Sequence, residues 1–196
     1  REFGLGRVAA VVAGGATRRE SVAAGLAALD PTWELVAVHD AARPAVTPEL
    51  IEAVLDMADR TGAATCGLPV GDTLKRAAPD GRVLATVPRD GLWAVQTPQA
   101  FRTELLREAH RRAAAEGWEA TDDAGLLERL GHPVYLVPGS PANLKLTWPG
   151  DLEVLEAVLA AREGPAREGP GTAGGEGRSE GCVGGGVRVG LGYDVH

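Results

Sequence analysis

The chain has 196 residues, of which 44% are hydrophobic and 24% are charged, and its formal net charge at pH 7 is −7. This composition is typical of a globular domain, and the acidic balance argues against a general nucleic-acid or membrane-surface binder. The two cysteines, Cys66 and Cys182, make neither a disulfide framework nor a metal pattern, which is typical of a reducing compartment. There is no apolar run of the roughly 20 residues that a membrane helix needs, and no signal-peptide pattern. We therefore expect a cytoplasmic protein that binds neither membranes nor nucleic acids.

The first apolar run, Val8 to Ala13, is rich in β-branched residues and ends at Gly14 and Gly15. This pattern predicts a buried strand that ends in a tight turn, and the spacing of apolar residues from Ser21 to Leu29 predicts a helix. Amide groups in a loop that opens a helix suit an anion or a nucleotide base. The alternative interpretation of the two glycines is a plain tight turn.

The second apolar run, Leu35 to Val38, leads directly into Asp40, Arg43 and Pro44. It predicts a buried parallel strand, and in open α/β sheets ligands bind beyond the carboxyl ends of such strands. Asp40 and Arg43 are therefore candidate binding residues. The alternative is that Asp40 caps a turn and pairs with Arg43.

The next elements repeat the same order. Thr47 and Pro48 suit the cap and the first position of a helix that runs to about Arg60, and Ala63 to Val70 is again an apolar strand. Alternating strands and helices are typical of βαβ units. We therefore predict an α/β fold of the Rossmann-like, doubly wound type with a mostly parallel sheet.

The stretch from Asp72 to Val87 departs from this order. Two alternating segments flank the turn sequence Pro79-Asp80-Gly81, which predicts a β-hairpin without a covering helix. We expect this arm, residues 72–87, to pack on a second subunit and to form a homodimer. Arg89, just after the arm, is either a solvated charge or a functional group.

The remainder of the first domain completes the sheet and its helices. The sequence predicts a strand that ends at Thr97 and Pro98, a helix from Thr103 to Ala115, and a helix capped by Thr121. Lys145 interrupts the second of two short predicted strands and either reaches solvent or points at a ligand. The two strands and the closing helix are Val134 to Val137, Leu144 to Thr147 and Pro149 to Arg162.

The composition changes after Arg162. Residues 163–186 are mostly Gly, Glu, Pro, Arg and Ser, which predicts a flexible linker. Residues 187–196 are apolar again and predict the first strand of a second domain. We expect residues 1–162 to form the first domain.

Six short motifs, the first of which is Gly14-Gly15 together with Ser21-Val22, occur in an order that resembles 2-C-methyl-D-erythritol 4-phosphate cytidylyltransferase, over about Val8 to Leu159. The other five are His39 to Pro44, Asp72 to Lys75, Leu92 to Gln99, Thr121 to Asp123 and Asn143 to Lys145. The resemblance implies a nucleotidyltransferase fold, CTP and 2-C-methyl-D-erythritol 4-phosphate as substrates, Mg²⁺ as cofactor, release of pyrophosphate, and a place in the non-mevalonate route to isoprenoid precursors.

The resemblance also implies a role for each matched residue. Arg89, from the neighbouring subunit, and Lys145 would position the methylerythritol phosphate for attack. Asp40 would contact both the nucleotide and the polyol substrate. The other implied substrate-binding residues are Arg43, Thr73, Thr97 and Thr121, and the other implied nucleotide-binding residues are Gly15 and Ser21.

The end of the chain carries a second resemblance. Gly190 to His196 is similar to the opening of 2-C-methyl-D-erythritol 2,4-cyclodiphosphate synthase, in which an Asp and a His two residues apart hold a divalent metal, Zn²⁺ or a similar ion. A strand places Asp194 and His196 on one face, where both can reach one ion. The two resemblances together imply a bifunctional fusion.

Members of the first family begin with a strand and a Gly-rich loop bearing Arg and Lys that wraps the triphosphate. Nothing before Val8 matches that loop, so we expect an N-terminally truncated domain, and we expect the 196-residue chain to be inactive. Two alternatives remain at this stage: a nucleotidyltransferase for another polyol phosphate, and a non-catalytic dimerising scaffold that keeps the fold.

Overall fold

The computed structural model of the chain describes residues 8–163 and 189–192. The helices are α1 (Arg18–Ala28), α2 (Pro48–Thr61), α3 (Thr103–Glu116), α4 (Asp123–Arg129) and α5 (Asp151–Glu163). The strands are β1 (Leu35–Asp40), β2 (Ala63–Pro69), β3 (Leu74–Ala77), β4 (Val83–Val87), β5 (Trp93–Arg102), β6 (Tyr135–Pro138) and β7 (Val189–Gly192).

Five strands form one sheet in the order β6-β2-β5-β1-β7. β1 pairs in parallel with β7 and β2 in parallel with β6, while β5 is antiparallel to both of its neighbours. Four of the five strands therefore run in one direction, and the predicted mostly parallel α/β sheet is confirmed, with β5 as its one reversed strand.

Helices cover both faces of this sheet. Leu26 of α1 and Leu106 of α3 pack with Val36, Val38 and Phe101 on one face. On the other face, α2 packs against the alternate side chains of the same strands, which include Ala37, Ala64 and Ala100. Because neighbouring strand residues point to opposite faces, burial on both sides explains why β1 is an almost continuous apolar run.

The cap of α2 follows the local sequence. Thr47 has an extended backbone and its hydroxyl accepts a hydrogen bond from the Leu50 amide, with Pro48 at the first helical position. The predicted start of this helix is confirmed.

The predicted hairpin arm is also present. β3 and β4 pair antiparallel as a separate two-stranded sheet. Val83 and Leu84 on this arm are 58% and 52% exposed, so its apolar side chains are not covered within the described part of one chain.

Two predicted strands are absent from their places. Val8 to Ala13 forms no strand, and Val11 is 91% exposed; the edge of the sheet beside β1 is occupied by β7 instead. Leu144 to Thr147 is a loop rather than a strand. Its Leu146 amide donates to Ala42 O, which belongs to no strand.

The prediction that the strand ends at Thr97 and Pro98 is wrong, because β5 continues to Arg102. Its register with β2 shifts here: Thr65 lies opposite Gln99 but Gly67 lies opposite Val95. Such an irregularity accommodates a proline, which cannot donate to the ladder, and turns nearby side chains out of the regular alternation.

Much of the predicted linker and second domain lies outside the described residues. Of residues 163–186, only Glu163 is described, as the last residue of α5, and of residues 187–196 only β7 is described. The division into domains stays a prediction. No helix among the described residues is long and apolar enough to cross a membrane.

Candidate active site

Three charged side chains meet where β1 ends. The Nζ of Lys145 lies 3.3 Å from Asp40 Oδ2, and the Nε of Arg43 lies 3.6 Å from the same oxygen. One carboxylate therefore faces two cations, which leaves this cluster with a net positive charge in a chain whose total charge is −7. A cluster of this kind attracts an anion locally although the protein is acidic.

The cluster forms one wall of a cleft of about 250 Å³ at this end of the sheet. Its lining includes Asp40, Arg43, Thr97, Thr121 and Lys145, five of the residues that the sequence singled out. The remaining lining residues are Arg18, Val95, Gln96, Gln99 and Asp122. The cleft is at the carboxyl end of β1, where ligands bind in open α/β sheets.

Thr97 is fixed in the cleft by two hydrogen bonds. Its hydroxyl accepts from the Asp40 amide at 2.9 Å, and it lies 3.0 Å from Nδ1 of the buried His39. Arg43 O can only accept, so in the neutral ring Nε2 carries the proton and donates to Arg43 O at 3.1 Å, and Nδ1 accepts from the Thr97 hydroxyl. Burial lowers the pKa of His39, which keeps the ring neutral and maintains this order of donors.

Thr121 lines the cleft but does not cap α4, so that prediction is wrong. Asp122 is the cap, and its carboxylate accepts from the Gly125 amide at 2.9 Å. The other carboxylate oxygen accepts from Gln99 Nε2 at 2.7 Å. Asp122 has the extended backbone that a cap requires, which leaves Thr121 just outside the helix.

Sequence analysis missed Arg18, which also lines the cleft. Its guanidinium donates to Asp123 Oδ2 at 2.7 Å, and His110 Nε2 lies 2.8 Å from Asp123 Oδ1. Burial by itself raises the pKa of Asp123, but the hydrogen bond with His110 and the charge of Arg18 outweigh it and hold this pKa below its usual value. Because Arg18 and Asp123 are 105 positions apart, no local pattern could have paired them.

Gly15 lies in the loop before α1 and Ser21 lies in the first turns of α1, and neither residue lines the cleft. The Gly15 amide donates to Ser21 Oγ at 3.1 Å, and the Ala16 amide donates to Glu20 Oε2 at 2.7 Å. These two loop amides therefore already donate to side chains at the start of α1. Their role in binding a nucleotide stays a prediction.

Thr73 and Arg89 belong to the arm region, and neither lines the cleft of its own chain. Both are exposed, and an Arg89 guanidinium nitrogen donates to Gly71 O. Within one chain the structure does not bring Arg89 to Lys145.

Asp194 and His196 lie outside the described residues. Among residues 8–163 and 189–192, no three His, Cys, Asp or Glu side chains come together in a way that could hold a metal ion. Cys66 is buried, and burial raises its pKa to about 11, so its thiol is neutral and does not serve as a nucleophile at pH 7.

A doubly covered α/β sheet with a cationic cleft at the carboxyl end of β1 is typical of nucleotide- and phosphate-binding α/β proteins. Residues 2–161 match the family model described as 2-C-methyl-D-erythritol 4-phosphate cytidylyltransferase. The chain belongs to this family of transferases.

Individual relatives agree with this assignment. The chain is 52% identical to 2-C-methyl-D-erythritol 4-phosphate cytidylyltransferase of Pelotomaculum thermopropionicum, over 85% of the chain and 70% of the relative. It is 46% identical to a bifunctional enzyme IspD/IspF of Desulforudis audaxviator, over 99% of the chain and 43% of the relative. It is also similar to the crystal structure of the cytidylyltransferase of Thermus thermophilus, with a TM-score of 0.71 and 48% identity over 76% of this chain and 72% of the other. The chain thus spans less than half of the bifunctional relative.

Proposed function

We propose that the cleft transfers CMP from CTP to 2-C-methyl-D-erythritol 4-phosphate and releases pyrophosphate. The observation that carries this proposal is the pair of cations on Asp40: Arg43 at 3.6 Å and Lys145 at 3.3 Å, in a family of cytidylyltransferases. The reaction brings an anionic phosphate oxygen to an anionic α-phosphate, so it depends on positive groups that offset the repulsion.

Arg43 and Lys145 hold the phosphate of the polyol substrate. Before substrate arrives, Asp40 keeps both cations at the mouth of the cleft, and a doubly charged phosphate is a stronger partner for them than one carboxylate. In an effective dielectric of about 20, a unit-charge contact at about 4 Å contributes on the order of 4 kcal/mol before desolvation. The attacking oxygen is one of the oxygens of the polyol phosphate, which forms a bond to the α-phosphorus of CTP. The bond that breaks joins the α-phosphorus to the oxygen it shares with the β-phosphate, and pyrophosphate leaves with that oxygen.

Thr97 and Thr121 contribute neutral donors and acceptors to the same cleft. Thr97 is held by the Asp40 amide and by His39, so its hydroxyl is in a fixed position before a polyol binds. Fixed polar groups of this kind orient a substrate without paying for reorganisation.

The donor set of the cleft fits Mg²⁺ that arrives with CTP. Mg²⁺ in nucleotide sites is held by one or two carboxylates together with substrate phosphates, and the cleft presents Asp40, whereas both oxygens of Asp122 already accept hydrogen bonds. Bound there, the ion would neutralise charge on the triphosphate. The described residues offer no cluster of three ligands for a resident ion.

The second subunit completes the site in this proposal. Arg89 is exposed and outside its own cleft, and the neighbouring arm carries uncovered Val83 and Leu84. Burial of this arm against a partner would carry Arg89 and Thr73 toward the partner's cleft. Exposed apolar surface next to a functional cation supports a homodimer formed through residues 72–87.

The decisive experiment is a calorimetric titration of the chain with 2-C-methyl-D-erythritol 4-phosphate, with and without CTP and Mg²⁺. We expect saturable binding that Lys145→Met weakens at least about tenfold, because one charge contact is lost. The control, Arg111→Met, removes an exposed cation that pairs with Glu108 on the same helix and should leave binding unchanged.

Other ligands in the same titration separate the alternatives. Tighter binding of another polyol phosphate would assign a different substrate, and the lack of saturable binding of any phosphate would favour a scaffold. Pyrophosphate release that depends on both substrates would report the transfer directly, and it would contradict the expectation that this 196-residue chain is inactive.

A further inference from the structure

The loop that carries Lys145, residues 139–146, is attached to β5 by the side chain of Gln96. Gln96 Nε2 donates to Ser140 O at 3.0 Å, and Gln96 Oε1 accepts from the Ser140 amide at 3.3 Å. The side-chain amide thus pairs with both backbone groups of Ser140, as a neighbouring strand would. We call residues 139–146 the Lys145 loop.

Asn143 links the Lys145 loop to two further residues of the cleft. Its Nδ2 donates to Thr97 O at 2.8 Å and to Gln96 Oε1 at 3.3 Å. Its backbone oxygen accepts from Arg43 Nη1 at 2.8 Å. One residue, 1% exposed, therefore contacts the strand that carries Thr97 and the guanidinium of Arg43, and it lies two positions before Lys145.

Stability alone does not account for an amide at this position. Asn143 Oδ1 is buried and has no hydrogen-bond partner among the described residues. A buried acceptor without a partner is unfavourable, and an apolar side chain of similar volume would avoid that cost. The two hydrogen bonds donated by Nδ2 are what the amide adds, and both go to β5.

We propose that Asn143 is a positioning residue that holds Arg43 and Lys145 at the spacing from Thr97 that binds the phosphate of the polyol substrate. This inference rests on the proposed function. Lys and Arg have long, mobile side chains, so the position of their charged groups depends on where the backbone that carries them is fixed. Without the Asn143 bond to Thr97 O, the described contacts of the Lys145 loop with β5 would be those of the Gln96 side chain. The distances from Thr97 to the charged groups of Arg43 and Lys145 would then be less well fixed.

The test compares Asn143→Asp with wild type in a titration with 2-C-methyl-D-erythritol 4-phosphate. Asp keeps the size of the side chain but loses both donors and places an oxygen against Thr97 O and Gln96 Oε1. We expect the dissociation constant to rise about tenfold. Ser140→Ala is the matched control, since it changes the same loop and removes only a hydroxyl that accepts from the Ala142 amide; its dissociation constant should stay that of wild type.

A double-mutant cycle separates positioning from a general structural effect. In the Lys145→Met background, one of the two cations that Asn143 positions is gone and only Arg43 is left to misplace, so we expect Asn143→Asp to weaken binding by less than about threefold. An equal loss in both backgrounds would overturn the inference. If Asn143→Asp does not fold, as judged by circular dichroism, the cycle is repeated with Asn143→Leu, which removes the donors without adding a charge.

The outcomes for the two proposals differ. If wild type binds no phosphate ligand, the proposed function fails. If wild type binds the substrate and folded Asn143→Asp binds it equally well, only the positioning role fails.

Discussion

At the scale of single residues, His39 shows how burial selects one protonation state beneath the cleft. The ring is 2% exposed and bridges the Thr97 hydroxyl and Arg43 O. Its bridge needs one donor and one acceptor nitrogen, and only the neutral imidazole has both. Protonation would place a hydrogen on Nδ1, against the Thr97 hydroxyl whose own hydrogen points at Nδ1. That hydrogen bond would then be lost unless the hydroxyl turned away.

We predict that His39 makes folding stability depend on pH. Its pKa in the folded chain is below the unfolded value of about 6.5, so between the two values only the unfolded chain carries the proton. Stability therefore falls as pH decreases through this window, with a slope of at most about 1.4 kcal/mol per pH unit. Urea unfolding of His39→Gln between pH 8 and pH 5 should show a smaller slope than wild type. An unchanged slope would contradict the prediction.

A second prediction at this scale concerns Asp123, whose carboxylate is fully buried between Arg18 and His110. Asp123→Asn leaves the Arg18 guanidinium without its anion, and breaking a buried pair costs about 3 kcal/mol. The midpoint of thermal unfolding should fall by about 6–12 °C. Glu108→Gln, which removes one partner of an exposed pair with Arg111 on a single helix, should leave the midpoint close to that of wild type.

At the scale of elements, β5 and the Lys145 loop depend on a close approach at Gly139. The Gly139 amide donates to Gly67 O at 2.7 Å, and a Cβ on Gly139 would lie 2.4 Å from Gln96 Oε1 and 3.0 Å from Gly67 O. The side chain of Gln96 and the strand backbone therefore leave room only for glycine.

We predict opposite effects for two Gly→Ala substitutions. Gly139→Ala should lower the free energy of unfolding by about 1–3 kcal/mol and weaken phosphate binding, because Gln96 must leave Ser140. Gly25→Ala, inside α1 with nothing within 4 Å of the added Cβ, should raise the free energy of unfolding by about 0.5–1 kcal/mol. Urea unfolding of both variants measures the two changes. A free energy of unfolding for Gly139→Ala equal to that of wild type would show that the loop tolerates the added Cβ.

At the scale of the whole molecule, the cleft of one chain holds Lys145 but not Arg89. The proposed homodimer makes a specific prediction for mixed subunits. Lys145→Met and Arg89→Met homodimers should each bind 2-C-methyl-D-erythritol 4-phosphate at least about tenfold more weakly than wild type.

Refolding the two variants together at equal concentration should restore tight binding to one cleft of each mixed dimer, which has Lys145 from one subunit and Arg89 from the other. Mixed dimers are about half of a random mixture, so about a quarter of all clefts should recover, measured as calorimetric stoichiometry. Failure to recover any tight sites, in a sample shown to be dimeric, would mean that both cations act from the same chain.

Local patterns of the sequence determined much of the architecture. Apolar runs of strand length identified β1, β2 and β6, Thr47 and Pro48 identified the start of α2, and the turn sequence at residues 79–81 identified the arm. Such signals act within a few positions, because burial periodicity and helix capping are properties of one element. They also placed Asp40 and Arg43 at the end of a strand.

Only the tertiary structure decided which distant side chains meet. Arg18 reaches Asp123 across 105 positions and Arg43 reaches Asn143 across 100, and the register shift in β5 allows a strand that local proline rules would have ended. These contacts depend on how helices and loops pack on the sheet, which no short window of sequence contains. Three charged residues of the cleft, Asp40, Arg43 and Lys145, could therefore be selected from the sequence, while Arg18 and the buried amides and ion pairs that hold the site were visible only in the fold.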